Sequence, residues 1–169
     1  MGMTESQQQI YDTAKEVLET LLSLMGLSGK VIQSDEFTTT DDNGDLTSIG
    51  LNIEGEDLGI LIGRRGQTMV SLQYIVRLII AHKMQVQMPV VLDVEGYKQR
   101  RCEGLRILAN RLAEQVKNRK APFTMEPMSA FERRIIHITL ADHPDVITES
   151  TGVGDARKVV ITPKTLPQN

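Results

Sequence analysis

Tryptophan is absent from this chain of 169 residues, and aromatic side chains make up only 4% of it. Its cores must therefore be aliphatic. A nucleobase-stacking sheet that needs interleaved Phe and Tyr on strands lacks material, because only Phe37, Phe123 and the three tyrosines stand near any such position. Cysteine occurs once, as Cys102, which excludes an internal disulfide and a cysteine metal cage. A reducing compartment is the expectation, so the protein is placed in the cytoplasm. The histidines, His82, His137 and His143, are scattered, and positions 137 and 143 do not align on one helix face, so no metal site is expected. Neither GxGxxG nor GxxxxGK followed by Ser or Thr occurs, and no cofactor is expected. No apolar run approaches membrane length: Ile75 to Ala81 contains Arg77. The first helix candidate, Ser6 to Met25, carries Asp12, Glu16 and Glu19 and lacks the basic start of a signal peptide.

What is present is charge, unevenly placed. Residues 1–60 hold 2 Lys and Arg against 12 Asp and Glu; residues 61–137 hold 14 against 6; residues 138–169 hold 3 against 4. The net charge of −3 hides a basic middle. That asymmetry fits a polyanion partner, and equally two oppositely charged solvated faces.

The apolar period of Ile10, Ala14, Val17, Leu18, Leu21, Leu22 and Met25 predicts a helix over 6–25 ended by Gly26. Residues 30–40 read as a strand, Asp42-Asn43-Gly44-Asp45 as a type I′ hairpin turn, and the returning strand places Ile49, Leu51 and Ile53 inward. A short helix over 56–62 and a longer one over 67–83 follow; the second is apolar around much of its circumference and is expected to be deeply buried. Val86, Met88, Val90, Leu92 and Val94 alternate as a further strand, with Pro89 at a strand start or sheet edge. Beyond a cut near Glu95-Gly96 come a long helix to about Lys120, a short strand over 123–126, a helix over 129–141, and strands over 146–151 and 157–162 joined by Gly152-Val153-Gly154-Asp155. The reading is α+β in two small domains, residues 5–95 and 96–163, with a fraying tail over 164–169.

Two constellations carry chemistry. In Gly-Ile-Leu-Ile-Gly-Arg-Arg-Gly-Gln-Thr, residues 59–68, paired glycines let the backbone turn tightly at a helix N-terminus, where free N–H groups and the dipole favour a phosphate. Arg64 and Arg65 sit at its tip. Such a pair of glycines also suits an ordinary solvated helix turn. The second is Met128-Ser-Ala-Phe-Glu-Arg-Arg-Ile-Ile-His137. Arg133 and His137, four apart, share one helical face, and Phe131, Ile135 and Ile138 form an opposite stripe assigned to the core. On that assignment the pair points outward, free to donate to phosphate oxygens, with His137 gaining charge as pH falls toward about 6. An exposed Arg and His are also a common solvated face.

The element order helix, strand, strand, helix, helix, strand with Ile62-Gly63-Arg64-Arg65-Gly66 resembles a KH domain of type II topology. By that resemblance Gly63, Arg64, Arg65, Gly66 and the adjoining Gln67 clamp the sugar-phosphate backbone of unpaired nucleotides; Ile60 and Ile62 either border the base groove or belong to the core. Residues 97–163 resemble the small nucleic-acid-binding domain named for an Arg and a His separated by three residues, matched by Arg133 and His137. The run from Phe131 to His137, then Asp142-His143-Pro144, and the tandem order are similar to the bacterial Jag, or KhpB, family. Arg157 and Lys158, opening the last strand, lie close in the pattern to the family's basic strand residues and are secondary candidates.

The resemblance implies a non-enzymatic protein that binds single-stranded nucleic acid, RNA before DNA, as a post-transcriptional regulator linked to cell shape or division, with a KH-domain protein as a partner. The short connection between the third strand of the first domain and the long helix also leads to the expectation that both domains hold one strand together. Family members often carry an extra N-terminal domain and linker, which this sequence does not contain, so functions of that part are not expected here. The alternatives are a protein-interaction scaffold at the envelope or division machinery, which the acidic first 60 residues suit, and a nuclease with His137 as general base, which lacks an evident second acid–base group.

Overall fold

The computed structural model describes residues 5–164. The sequence expectation for a fraying tail lies, apart from Lys164, outside the described residues. Two compact units divide between Lys98 and Gln99.

The first unit begins with α1 (Glu5–Leu24), which buries Ile10, Ala14, Val17, Leu18 and Leu22. Its end is a Schellman closure: Gly26, at φ 69°, donates its N–H to the Ser23 carbonyl and Leu27 donates to Leu22. Strands β1 (Lys30–Gln33), β2 (Thr39–Thr40) and β3 (Leu46–Glu54) follow. β3 is the centre of the sheet. It pairs antiparallel with β1 and β2 along one edge and parallel with β4 (Val90–Val94) along the other. The helices α2 (Gly59–Ile62) and α3 (Gln67–Met84) connect β3 to β4. Ile49, Leu51 and Ile53 of β3, Leu92 and Val94 of β4, and Leu72, Val76 and Ile80 of α3 share one core with α1.

Several expectations are corrected here. The strand over 30–40 is broken: residues 34–38 turn back, with Phe37 and Thr38 donating their N–H groups to the Ser34 carbonyl. The turn lies so close on β3 that a Cβ at Gly50 would stand 2.5 Å from the Ser34 carbonyl oxygen, so only glycine fits. The hairpin is present, but it is not type I′, because Gly44 has a positive φ and Asn43 does not. The Asp41 carboxylate organises it by accepting from the N–H groups of Asn43 and Asp45. The helix over 56–62 shortens to α2, because Asp57, at φ 55°, is left-handed. The strand expected from Val86 starts only at Val90; Pro89 precedes it and accepts from the Ile49 N–H through its carbonyl. Most consequentially, α3 is not buried all round. Val70, Tyr74, Ile75 and Leu78 are exposed, and the Arg77 guanidinium lies 5.5 Å from the Tyr74 ring centre.

The second unit is built on α4 (Tyr97–Arg119) from Gln99 onward, Tyr97 and Lys98 belonging to the first unit; Leu105, Ala109, Leu112, Ala113 and Val116 of α4 are buried. β5 (Phe123–Thr124), β6 (Val146–Thr151) and β7 (Lys158–Pro163) make an antiparallel sheet with β7 in the middle. The expected strand over 123–126 is thus two residues long. α5 (Ala130–Thr139) packs on the sheet with Ile136 and Leu140 in the core. Ser129 is its cap. The Ser129 hydroxyl accepts from the Glu132 N–H, and the Glu132 carboxylate accepts from the Ser129 N–H, a capping box worth about 1 kcal/mol. The same carboxylate, 10% exposed, takes the Arg101 Nε at 2.8 Å, so α4 fixes the rotation of α5.

Candidate nucleic-acid interface

In the first unit the loop between α2 and α3 is set by two glycines, the first in a conformation only glycine accepts and the second in the left-handed region that favours glycine. Gly63 has φ 66° and ψ −170°, and Gly66 has φ 80° and ψ 7°. A Cβ on Gly63 would stand 2.0 Å from the Thr68 hydroxyl oxygen, and one on Gly66 would stand 2.9 Å from the Tyr97 ring. Thr68 and Tyr97 therefore hold the loop from its two ends. Between the glycines, Arg64 to Gly66 form a single 3-10 turn in which Arg65, at φ 56°, is left-handed. Arg64 and Gln67 are exposed; Arg65 is half-buried and has its own partner. No side chain caps the N-terminus of α3 and no acid stands in its first turn, so its N–H groups and dipole face the two arginines' surroundings unopposed. Of the two apolar residues left between groove and core, Ile60 is exposed and Ile62 is half-buried against the core.

Tyr97 was not legible as part of this loop. It lies 31 positions beyond Gly66, and it reaches back because Glu95 and Gly96, at φ 53° and 67°, are both left-handed. The Glu95 side chain secures that turn by accepting from the Gly55 N–H at 2.7 Å.

In the second unit the expected faces of α5 are exchanged. Phe131 and Ile138, assigned to the core, are each 64% exposed. Ile135 alone of that stripe packs on the core, and only partly. Arg133 and His137, expected outward, are half-buried at the junction of α5 with β6. The cause is the orientation imposed by Glu132, whose buried carboxylate must face Arg101 and the cap. The Arg133 Nη1 donates to the Met128 carbonyl at 2.8 Å, and the Met128 N–H donates to the Arg157 carbonyl. Met128 thus joins the Arg133 side chain to the backbone at Arg157. Arg157 is exposed in the turn before β7, whereas Lys158 alternates with buried Val159 and lies on the opposite sheet face.

His137 is engaged through both ring nitrogens: Nδ1 is 2.7 Å from the Thr148 hydroxyl and Nε2 is 2.8 Å from the Ser150 hydroxyl. Burial, and then the positive charge of Arg133, hold its pKa below the usual imidazole value. The ring is therefore neutral near pH 7, one nitrogen donating and the other accepting. Its gain of charge is displaced to lower pH than that of a free imidazole. Its chemical effect is to orient two hydroxyls, Thr148 and Ser150, that sequence reasoning missed.

The remaining cations on α4 divide. Arg106 pairs with Glu103 at 3.2 Å, and Glu114 stands 3.8 Å from His143 on another element. Among the described residues no three His, Cys, Asp or Glu side chains gather in a way that could hold a metal ion.

A central strand with an antiparallel and a parallel neighbour, a glycine-locked loop opening α3, and a helix bearing Arg133 and His137 over a three-stranded sheet define a KH domain followed by a domain of the Arg-xxx-His type. Residues 15–92 match the KhpA/KhpB KH domain family, and residues 103–163 match the domain family named for an Arg and a His separated by three residues. The chain is 38% identical over 158 residues to the RNA-binding protein KhpB of Clostridium symbiosum, an overlap of 94% of this chain and 68% of that protein. It is 34% identical over 154 residues to the RNA-binding protein KhpB of Bacillus subtilis, covering 89% and 69% of the two. Against the RNA-binding protein KhpB of Lactiplantibacillus plantarum it is 36% identical over 111 residues, covering 66% and 34%. The chain belongs to the KhpB family.

Proposed function

We propose that this protein binds unpaired RNA through two separate cationic sites and carries out no chemistry on it. The observation that carries the reading is the loop Gly63 to Gly66. It places Arg64, Arg65 and an uncapped helix N-terminus at one point, with no acid in the first turn of α3. Such a point neutralises phosphates whatever the base sequence. At the second site Arg133, Arg157 and whichever of the Thr148 and Ser150 hydroxyls accepts from the His137 N–H supply further donors. A strand held at both sites gains from the linkage, since its second contact is intramolecular. Relatives at 38% and 34% identity are named RNA-binding proteins, which favours RNA over DNA. The binding reading also supports a place in the cytoplasm; among the described residues no helix is long and apolar enough to cross a membrane.

A nuclease reading is disfavoured by His137. Both of its nitrogens are taken by hydroxyls, and among the described residues no carboxylate bonds to it to orient it as a base. A KH-domain protein partner, the other implication of the family, is supported by the exposed Val70, Tyr74 and Leu78, which are four apart and line one face of α3.

The test is binding of a single-stranded oligoribonucleotide, alone and annealed to its complement, to wild type and to Arg64→Asp/Arg65→Asp. The single strand should bind better than the duplex, and the double substitution should weaken binding about 100-fold or more, because charge-assisted contacts are worth about 1.5–3 kcal/mol each. Asp tolerates the left-handed position of residue 65, so the melting temperature should hold. Unchanged affinity with normal melting removes the loop from the account.

A further inference from the structure

The exchange of faces on α5 leaves a surface that phosphate contacts do not explain. At 100° per residue, the order around the helix is Arg133, His137, Arg134, Ile138, Phe131. Arg134 thus lies between the Arg–His pair and the apolar Ile138 and Phe131. Phe131, Arg134 and Ile138 are all exposed. The only acid on α5, Glu132, is buried and engaged with Arg101 and the Ser129 cap, so the exposed face is apolar and positive with no compensating charge of its own. Seven residues separate Phe131 from Ile138, about 10 Å along the helix.

Resting on the RNA-binding reading, we propose that Phe131, backed by Arg134 and Ile138, is the base-contacting platform of the second unit. An unpaired nucleobase lies on the Phe131 ring, while a phosphate of the same strand meets the neighbouring Arg134. The charge on the helix selects the occupant. A cationic strip flanking an exposed ring suits a polyanion that carries flat apolar faces, and a single-stranded nucleic acid has both. The capping box holds Phe131 in the first turn of α5, one residue before the buried Glu132, so the ring is presented from fixed backbone. A base stacked there adds affinity without regard to its identity and without adding a neutralised phosphate.

The chain contains no tryptophan, so Phe131→Trp introduces a single indole reporter at the platform. The probes are oligouridylate of about 20 nucleotides and an abasic ribose-phosphate strand of the same length, longer than a typical single-strand site. Phe131→Ala should weaken oligouridylate binding about 5- to 100-fold, the loss of one stacked base, while leaving the slope of log K against log salt as in wild type. Binding of the abasic strand should not change. Phe131→Trp should bind oligouridylate at least as well as wild type, and its fluorescence should be quenched by oligouridylate but not by the abasic strand. Phe131→Ala that binds oligouridylate like wild type, with an unquenched indole in Phe131→Trp, overturns the platform. The RNA reading then survives if Arg64→Asp/Arg65→Asp still loses binding, and it falls separately if wild type binds neither strand. A Phe131→Ala variant that keeps oligouridylate affinity and loses self-association or a protein partner instead assigns the face to protein docking and equally overturns the proposal.

Discussion

The two cationic sites of this chain are positioned by opposite means. In the first unit the backbone does it. Gly63 adopts a conformation closed to other residues, and Thr68 behind Gly63 and Tyr97 behind Gly66 occupy the space where a Cβ would go. In the second unit side chains do it. The helix α5 is regular, and its functional face is chosen by Glu132 against Arg101 and by His137 against Thr148 and Ser150. The loop should therefore tolerate exchange of its charged side chains without loss of fold and should fail on any added Cβ. The helix face should tolerate small backbone-neutral changes and should lose its orientation when a buried hydrogen-bond partner is removed.

The largest expected effect comes from Gly63→Ala. Its Cβ meets Thr68 in a region of φ and ψ that costs a non-glycine residue about 1–3 kcal/mol, so the loop must move. RNA affinity should fall about 10- to 100-fold, as when one or two charge-assisted contacts are lost. Isothermal binding at constant salt reads this. An alanine at the exposed Gly104 of α4, where nothing stands within 4 Å of a Cβ, should leave affinity unchanged and is the control.

A smaller effect sharpens the role of the ring behind Gly66. Tyr97→Ala should weaken RNA binding several-fold, on the order of 1 kcal/mol, by letting the second glycine relax. Tyr97→Phe keeps the ring and should bind as wild type. Equal losses in both variants would show that the hydroxyl, not the packing, supports the loop.

These effects also mark how much the residues announced in advance. The α1 stripe apart from Met25, which is exposed, the position of the hairpin though not its turn type, the order of elements and the glycine loop were legible, because each rests on local spacing or turn residues. The orientation of α5 was not. Phe131, Ile135, Ile136, Ile138 and Leu140 spread apolar side chains around most of the helix, so period alone allows more than one buried stripe. The stripe of Ile136 and Leu140 is selected by the pairing of Glu132 with Arg101, 31 residues away. The same ambiguity hid the exposed face of α3. Tyr97 was missed for a related reason: its contact with Gly66 depends on two left-handed residues, Glu95 and Gly96, of which only the glycine is a sequence signal.

The smallest effect concerns pH and only the second unit. In the folded chain burial, followed by the charge of Arg133, depresses the pKa of His137 below its ordinary value of about 6.5. The stability that depends on the neutral ring is complete above about pH 6.5 and is lost as pH falls through the depressed value. Thermal melting of wild type and His137→Gln from about pH 7.5 to 5 should show the greater loss in wild type. Equal loss in the two chains would mean that the imidazole is not held neutral by its surroundings.

The most direct test of the two-site account is the salt dependence of binding to one unpaired oligoribonucleotide. With about two to five phosphates neutralised, the slope of log K against log salt should lie between about −1.5 and −3.5. Arg64→Asp/Arg65→Asp and Arg133→Ala/Arg157→Ala should each make the slope shallower by an independent amount. A slope near zero in wild type, or one that neither pair of substitutions changes, would contradict the claim that these two sites hold the strand by its phosphates.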